Sequence, residues 1–401
     1  MKGPLDGIKV IECAQWLLGP YAGFMLGDLG ADVIKIEEPT GGDRIRGFTH
    51  LSGQKIERNW MIEHTNRNKR SMTLNLKTQK GKEIIYKLIE QADIFLHNLT
   101  LGEEEKLGLD YDTLCRYNSK LIYAQGSGWG PEGPLRAEPT FDPVMQARSG
   151  FVMTATNPGE TPTQIGSAIG DLTGALLFVP AILAALLARE RLGIAQKVDV
   201  SGLGSLIHLQ MNALAQYYIG GQVHINPMYR PKLGNPLWCN YQCADGKWIT
   251  LGMLGSDQFW PTFCEAMGIK HLEKDPRFEN SEVRRQNAQE LVSILDKIFS
   301  AKPLAEWLEH FKHQGKLIYG PILSIPELAT DPQVIANEYI IDFDHPVYGM
   351  IKVLGFPYKF SKTPASLRAP APGLGQHTEE VLLEMGYTWD DIVQLKDERV
   401  I

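Results

Sequence analysis

The chain has 401 residues, enough for two or three domains. Apolar residues make up 43% and charged residues 22%, which places it among soluble globular proteins. The formal net charge is −7 and no basic run stands out, which argues against nucleic acid as a partner.

The opening, Met1-Lys2-Gly3-Pro4-Leu5-Asp6-Gly7, has no signal-peptide core. Residues 8–12 then read as a first strand. Gly19-Pro20 starts a helix that Gly30 ends. Residues 32–37 form a second strand, and a strand–helix–strand unit of this size implies a right-handed crossover in a parallel sheet. Residues 71–76 continue the pattern as a strand. Residues 80–91 read as a helix with Ile84, Ile85, Leu88 and Ile89 on one face. Strands follow at 93–96 and 121–125. This alternation specifies a doubly wound α/β fold, Rossmann-like but without G-x-G-x-x-G after the first strand. Gly126-Ser127-Gly128-Trp129-Gly130 is a glycine-rich loop after a strand, where ligands approach the carboxyl ends of an open parallel sheet.

The run Gln164-Ile165-Gly166-Ser167-Ala168-Ile169-Gly170-Asp171 leads into an apolar segment. Residues 174–188 within it number fifteen and include Pro180, fewer than the roughly 20 needed to span a bilayer. The segment therefore reads as a buried core helix, and the protein as cytoplasmic with no membrane partner. A strand at 197–201 and a long helix at 203–218 follow. A hairpin turns at Asp245-Gly246. Helical patterns cover 256–267, 281–299 and 304–312, Gly320-Pro321-Ile322 begins a return, 364–374 is extended, and 377–385 is a terminal helix. The expected organisation is a large α/β domain at 1–221, a linker at 222–236, a smaller α+β domain at 237–325, and a linker with C-terminal return at 326–401.

Cys13, Cys115, Cys239, Cys243 and Cys264 lack zinc-ligand spacing and read as free thiols. Arg67, Lys69, Arg70, Lys77, Lys80 and Lys82 are the densest basic stretch: a polyanion site or a solvated face. Asp171 is the most informative residue. A carboxylate where a loop meets a helix N-terminus is held ionised by unpaired amides and the helix dipole. It is then either a cap on those amides or a covalent nucleophile.

Taken in order, the motifs resemble the class III CoA-transferases over nearly the whole chain. They are Pro4-Leu5-Asp6-Gly7-Ile8-Lys9-Val10-Ile11-Glu12, Gly19-Pro20-Tyr21-Ala22, Leu29-Gly30-Ala31-Asp32, Gly42-Asp43 with Arg46, Asn68-Lys69-Arg70-Ser71, Phe141-Asp142, Ile169-Gly170-Asp171, Gly193 with Gln196-Lys197-Val198-Asp199-Val200-Ser201, and Gly375-Gln376-His377-Thr378-Glu379. The resemblance implies that Asp171 attacks an acyl-CoA thioester, forms a mixed anhydride and then an aspartyl-CoA thioester, and passes CoA to an acceptor acid. Amides near 170–172 or in the 126–130 loop would stabilise the oxyanion. It implies coenzyme A as a substrate rather than a tightly bound cofactor, with no metal. The CoA-binding positions it implies are Trp16, Leu74, Asn75, Leu76, Lys77, Asn98, Leu99, Thr100 and Lys106. Asn98-Leu99-Thr100-Leu101-Gly102 departs from the Asn-Phe-Arg-Pro-Gly of many relatives, and Glu38 stands where some carry arginine. Only Gly234 falls in the stretch some members use as a glycine lid. An interlocked homodimer is also implied.

The same family includes α-methylacyl-CoA racemases, which pair an aspartate with a histidine. Here Phe141 occupies the histidine position and cannot carry a proton, which favours a transferase. A CoA-binding protein without turnover is the third reading. Trp16, Leu17, Trp129 and Phe141 would make the acid pocket apolar and aromatic. That suits a medium, 2-hydroxy, carnitine-like or aryl acid rather than oxalate.

Overall fold

Six strands form the central sheet: β1 Lys9–Cys13, β2 Asp32–Glu37, β3 Lys69–Thr73, β4 Ile94–His97, β5 Ile122–Ser127 and β6 Lys197–Ser201. The structure is a computed structural model that describes all residues except 1, 52–53, 56–57, 167 and 223–227. Ser167 in the run before Asp171, and 223–227 in the expected linker, therefore lie outside the described residues. The strand order is β3-β2-β1-β4-β5-β6, and every neighbouring pair is parallel. This is the α/β fold expected. The order reverses between β1 and β4, and ligands of such sheets bind outside the carboxyl ends of the strands at that point.

The strands read as nearly continuous apolar runs because both faces are covered. On one face Val10, Val33, Leu96 and Ala124 pack with helix α1 (Leu18–Asp28). On the other, Ile11, Ile34, Phe95 and Tyr123 pack with helix α2 (Gln79–Glu90). Thr78 caps α2 by accepting from the Gly81 amide at 3.0 Å. Ile84, Ile85, Leu88 and Ile89 are all buried. Each such side chain contributes about 1.5–3 kcal/mol on full burial.

β3 begins two residues earlier than the expected 71–76 and ends at Thr73. Lys69 looks like a solvated flank in sequence, yet its side chain is fully buried and lies 2.7 Å from Glu12. The C-terminal return lies along this edge: the Gly375 amide donates to Ser71 Oγ and the Asn75 amide to the Val400 carbonyl.

Helix α4 (Ile169–Leu192) completes the first face, and helix α3 (Asp142–Arg148) packs against α4. α4 has 24 residues, long and apolar enough to cross a membrane by length and composition. The shortness expected of this segment is therefore not what marks it as a core helix. Its packing is: Ala175, Phe178 and Ile182 are fully buried against the sheet. Pro180 falls at an exposed position of this helix, and Gly193 in the left-handed region ends it.

The helices expected at 203–218 and 281–299 are each broken in two. The breaks fall at Gln210, between Gly202–Leu209 and Met211–Tyr218, and at Asn287, between Ser281–Gln286 and Ala288–Phe299. At both, the side-chain amide donates to the carbonyl four residues earlier, Leu206 and Val283 respectively. Such local side-chain bonds compete with the helical ladder.

The chain divides into two compact units, one of Met1–Met153, Pro162–Ala215 and Asn337–Ile401, the other of Thr154–Thr161 and Gln216–Ala336. The second has its own core around Tyr241, Trp260, Phe263, Phe299 and Trp307. Its hairpin, β7 Asn240–Gln242 and β8 Trp248–Leu251, is joined by an edge strand, β9 Tyr319–Ile322. Pro321 is tolerated there because an edge needs no donor on its open side.

Candidate active site

The loops after β1 and β4 meet at the point where the strand order reverses. Asn98 joins them: its Nδ2 donates to the Gln15 carbonyl at 2.7 Å and its Oδ1 accepts from the Gln15 amide at 2.9 Å. Beneath them lies a buried charge network. Lys35 Nζ is 2.9 Å from Glu12 and 2.9 Å from Asp43, all three with fully buried side chains. Burial alone would lower the Lys35 pKa, but the Glu12 and Asp43 carboxylates outweigh it and raise it.

Two cavities flank these loops. The larger, about 580 Å³, is lined by Leu74, Asn75, Leu76, Lys77 and Leu99 of the implied CoA positions, together with Glu38 and Arg44. The smaller, about 290 Å³, is lined by Trp16, Asn98, Leu99, Thr100 and Asp171. Arg44 and Leu99 line both. Lys106 lines neither; it is exposed on the last turn of the short helix Glu103–Leu107.

Sequence reasoning passed over Arg44. Arg46, which carries part of the family resemblance, is held by Glu37 through two bonds of 2.7 Å. Only the position of Glu37 at the end of β2 distinguishes the two arginines. The basic stretch is dispersed by partners: Arg67 pairs with Asp28, Arg70 with Asp32, Lys69 with Glu12 and Lys80 with Glu398. Lys77 alone of the stretch faces the larger cavity. Glu38 Oε2 accepts from the amides of Thr40 and Gly41, fixing the turn beside it.

Asp171 is the third residue of α4, whose N-cap is Ala168 in the left-handed region. The capping role belongs to another residue. Asp142 Oδ1 accepts from the amides of Gly170 at 2.6 Å and Asp171 at 3.2 Å, and Gln146 Nε2 donates to its other oxygen. A Cβ at Gly170 would lie 2.8 Å from that Oδ1, so glycine lets Asp142 come this close. The Leu172 amide bonds the Ala168 carbonyl. The amides of 170–172, one of the two places expected to serve an oxyanion, are thus all engaged within the chain. The electrostatics of Asp171 are also the reverse of the expectation. Burial, and then the charge of Asp142, push its carboxyl up to about 7. The amides that would have favoured its ionised form are occupied by Asp142.

The pocket around Asp171 has an aromatic wall. The Trp16 indole packs edge-on against Phe141 at 5.6 Å and Phe48 at 6.1 Å. Leu17 and Trp129 line the same pocket, and Trp129 Nε1 donates to the Glu138 carbonyl. Arg44, Arg136 and Glu138 line it too, three charges that the apolar reading omitted. No histidine lines this cavity among the described residues.

A family profile described as CoA-transferase family III matches residues 5–378. The chain is 32% identical to the (R)-2-hydroxy-4-methylpentanoate CoA-transferase of Clostridioides difficile, over 99% of each chain. It is 32% identical to the succinyl-CoA–D-citramalate CoA-transferase of Chloroflexus aurantiacus, over 99% of this chain and 98% of that one. The crystal structure of a CAIB/BAIF family protein from Brucella suis superposes with a TM-score of 0.83 at 30% identity, covering 96% of this chain and all of that one.

Proposed function

Because this chain belongs to CoA-transferase family III, we propose that it carries CoA from an acyl-CoA donor to a carboxylic acid through covalent intermediates on Asp171. The observation that supports this is a pair of cavities with shared walls that ends at a single half-buried aspartate. The larger cavity takes the nucleotide end of CoA, with Arg44 and Lys77 facing its phosphates. The smaller takes the thioester.

The Asp171 carboxylate attacks the thioester carbonyl, and the C–S bond breaks to give an acyl-aspartyl anhydride and CoA thiolate. The thiolate attacks the aspartyl carbonyl, releasing the donor acid and leaving an Asp171–CoA thioester. The acceptor carboxylate attacks that thioester, and the C–S bond breaks to release CoA thiolate and leave a second anhydride on Asp171. Thiolate then attacks the acceptor carbonyl, giving the new acyl-CoA and free Asp171. Each intermediate is close in energy to a thioester, so one difficult exchange becomes several easier ones. Gly128 and Trp129 border the pocket, and their amides are the proposed oxyanion donors in place of those at 170–172. Phe141 cannot supply the second base of a racemase, and among the described residues no lining histidine replaces it.

The wall of Trp16, Leu17 and Phe141 favours an acid with an apolar or aryl tail. The test is transfer from a panel of acyl-CoA donors to 2-hydroxy-4-methylpentanoate, phenyllactate, glutarate and oxalate. The reading predicts kcat/KM for the first two at least about tenfold above oxalate, the scale of one or two buried methylene groups. Faster turnover of oxalate would overturn the acceptor assignment, and α-proton exchange without transfer would overturn the reaction.

Two further results are expected. Arg44→Ala raises the KM for acyl-CoA about tenfold with kcat nearly unchanged, since a charged phosphate contact of about 1.5–3 kcal/mol is lost equally in ground and transition states. Because Asp171 reacts as the carboxylate, kcat/KM for the donor rises with pH through about 7 and levels above it. A profile flat from pH 5 to 8 would contradict this.

The homodimer is part of the same proposal. It is supported by apolar side chains left exposed on α4 and the helices after β6, among them Leu187, Leu192, Leu209 and Met211. Sedimentation equilibrium giving a monomer at micromolar concentration would remove it.

A further inference from the structure

Three consecutive residues after β1 are gripped by side chains from three other places in the fold. The Ala14 carbonyl accepts from Lys35 Nζ at 2.6 Å. Gln15 is held through both backbone groups by Asn98. The Trp16 amide donates to Asp43 Oδ1 at 3.0 Å. That oxygen also accepts from the Ile45 amide at 3.1 Å, and Asp43 Oδ2 lies 2.9 Å from Lys35 Nζ. Asp43 and Lys35 are 1% and 0% exposed, so neither is free to find another partner.

This grip has a backbone consequence. Trp16 has φ +65°, in the left-handed region that a bulky side chain rarely adopts. Such strain persists only where the surroundings over-determine it, and it clusters at functional sites. Here the strained residue is also the partition between the two cavities. Ala14 and Gln15 line the larger one, and Trp16 lines the smaller one with Asp171. The left-handed turn carries the indole onto Phe141 and Phe48.

We propose that Asp43, locked by Lys35, is a positioning residue for the acceptor half of the reaction: it holds Trp16 in its left-handed conformation and so sets the aromatic wall against which the acceptor acid packs. This rests on the transferase reading above for its kinetic part. Its structural part stands independently of it. Asp43 acts through Trp16, since both of its oxygens are already engaged.

The experiment compares Asp43→Ala and Asp43→Asn, each by crystallography and by steady-state kinetics with donor and acceptor varied separately. In Asp43→Ala, Trp16 is expected to relax to negative φ and its indole to leave Phe141. The acceptor KM is expected to rise at least tenfold and by more than the donor KM, which also responds because Asp43 holds the Ile45 amide next to Arg44. Asp43→Asn keeps an oxygen for the Trp16 amide, so it should return most of the acceptor KM. If the alanine variant does not accumulate, Lys35→Met with Asp43→Leu removes both buried charges together and should release Trp16 in the same way. Trp16 remaining near φ +65° in the alanine or the double variant would overturn the proposal, as would a donor KM that rises as much as the acceptor KM. The Trp16 conformation is read without turnover. Inactivity of the parent enzyme toward every acid would therefore count against the proposed function and not against this one.

Discussion

Replacing Asp171 by alanine or asparagine is expected to lower kcat for CoA transfer by at least about a thousandfold, as loss of a covalent nucleophile does. CoA affinity should stay within about threefold, because none of the groups lining the larger cavity is altered. Asparagine is the more informative change. The Asp171 carboxyl is pushed up to about 7 by burial and by Asp142, from an ordinary value of 3.8. The folded protein therefore binds this proton more tightly than the unfolded chain does. The resulting stability is fully present below about pH 4 and is lost as pH rises toward 7. At pH 8 the ionised Asp171 strains the fold, and Asp171→Asn relieves it. The inactive variant should be more stable than the parent by on the order of 1–3 kcal/mol at pH 8, with the gain shrinking toward pH 5. Denaturant titrations at the two pH values check this. Equal stability of both proteins at pH 8 would show that the site is not electrostatically strained. Such a gain on removing a functional group is the usual exchange between stability and activity.

The second large effect lies in the sheet. Glu12 Oε1 is 2.9 Å from Lys35 Nζ and its Oε2 is 2.7 Å from Lys69 Nζ, with all three side chains fully buried. A Cβ at Gly23 in α1 would come within 1.9 Å of the same Oε2, so the helix has been brought right against this carboxylate. Glu12→Ala leaves two buried ammonium groups with half their compensation. Breaking a buried pair from one side typically destabilises by about 3–5 kcal/mol. The sign with pH is also fixed. Burial, opposed by Glu12 and reinforced by Lys35, pushes Lys69 down to about 8, below its ordinary 10.5. Without Glu12 the folded state sheds this proton more readily still, while the unfolded chain retains it. The loss should therefore be smaller at pH 9.5 than at pH 7. A destabilisation below about 1 kcal/mol at pH 7, by chemical denaturation, would mean that water or relaxation compensates the lysines.

How much of this was legible beforehand depends on what each signal rests on. The strands at 32–37 and 197–201 were readable to the residue, because each carries β-branched Val or Ile among polar residues and is preceded by a glycine that ends a helix. β3 was misplaced because Lys69 reads as solvent-facing until Glu12, fifty-seven positions earlier, is brought beneath it. The hairpin of Ile340–His345 and Gly349–Leu354 was missed altogether, since its strands alternate weakly with charged residues. In the site, Asp171 stood out by its place before an apolar helix, and the resemblance supplied the segments at 74–77 and 98–100 that border the cavities. Arg44 and the electrostatics of Asp171 were not legible. The first depends on which of two nearby arginines Glu37 takes, and the second on Asp142 reaching the α4 amides from twenty-nine positions away. Both are facts of tertiary placement that local pattern does not encode.

The most direct test of the central claim is mass mapping of the Asp171 peptide after incubation with acyl-CoA donors and trapping with hydroxylamine or borohydride. The account predicts a CoA adduct, or its hydroxamate or alcohol derivative, on Asp171 in the parent enzyme and none in Asp171→Ala. A protein that passes CoA to an acceptor acid while its Asp171 peptide stays unmodified, or that carries the adduct on another residue, would contradict it.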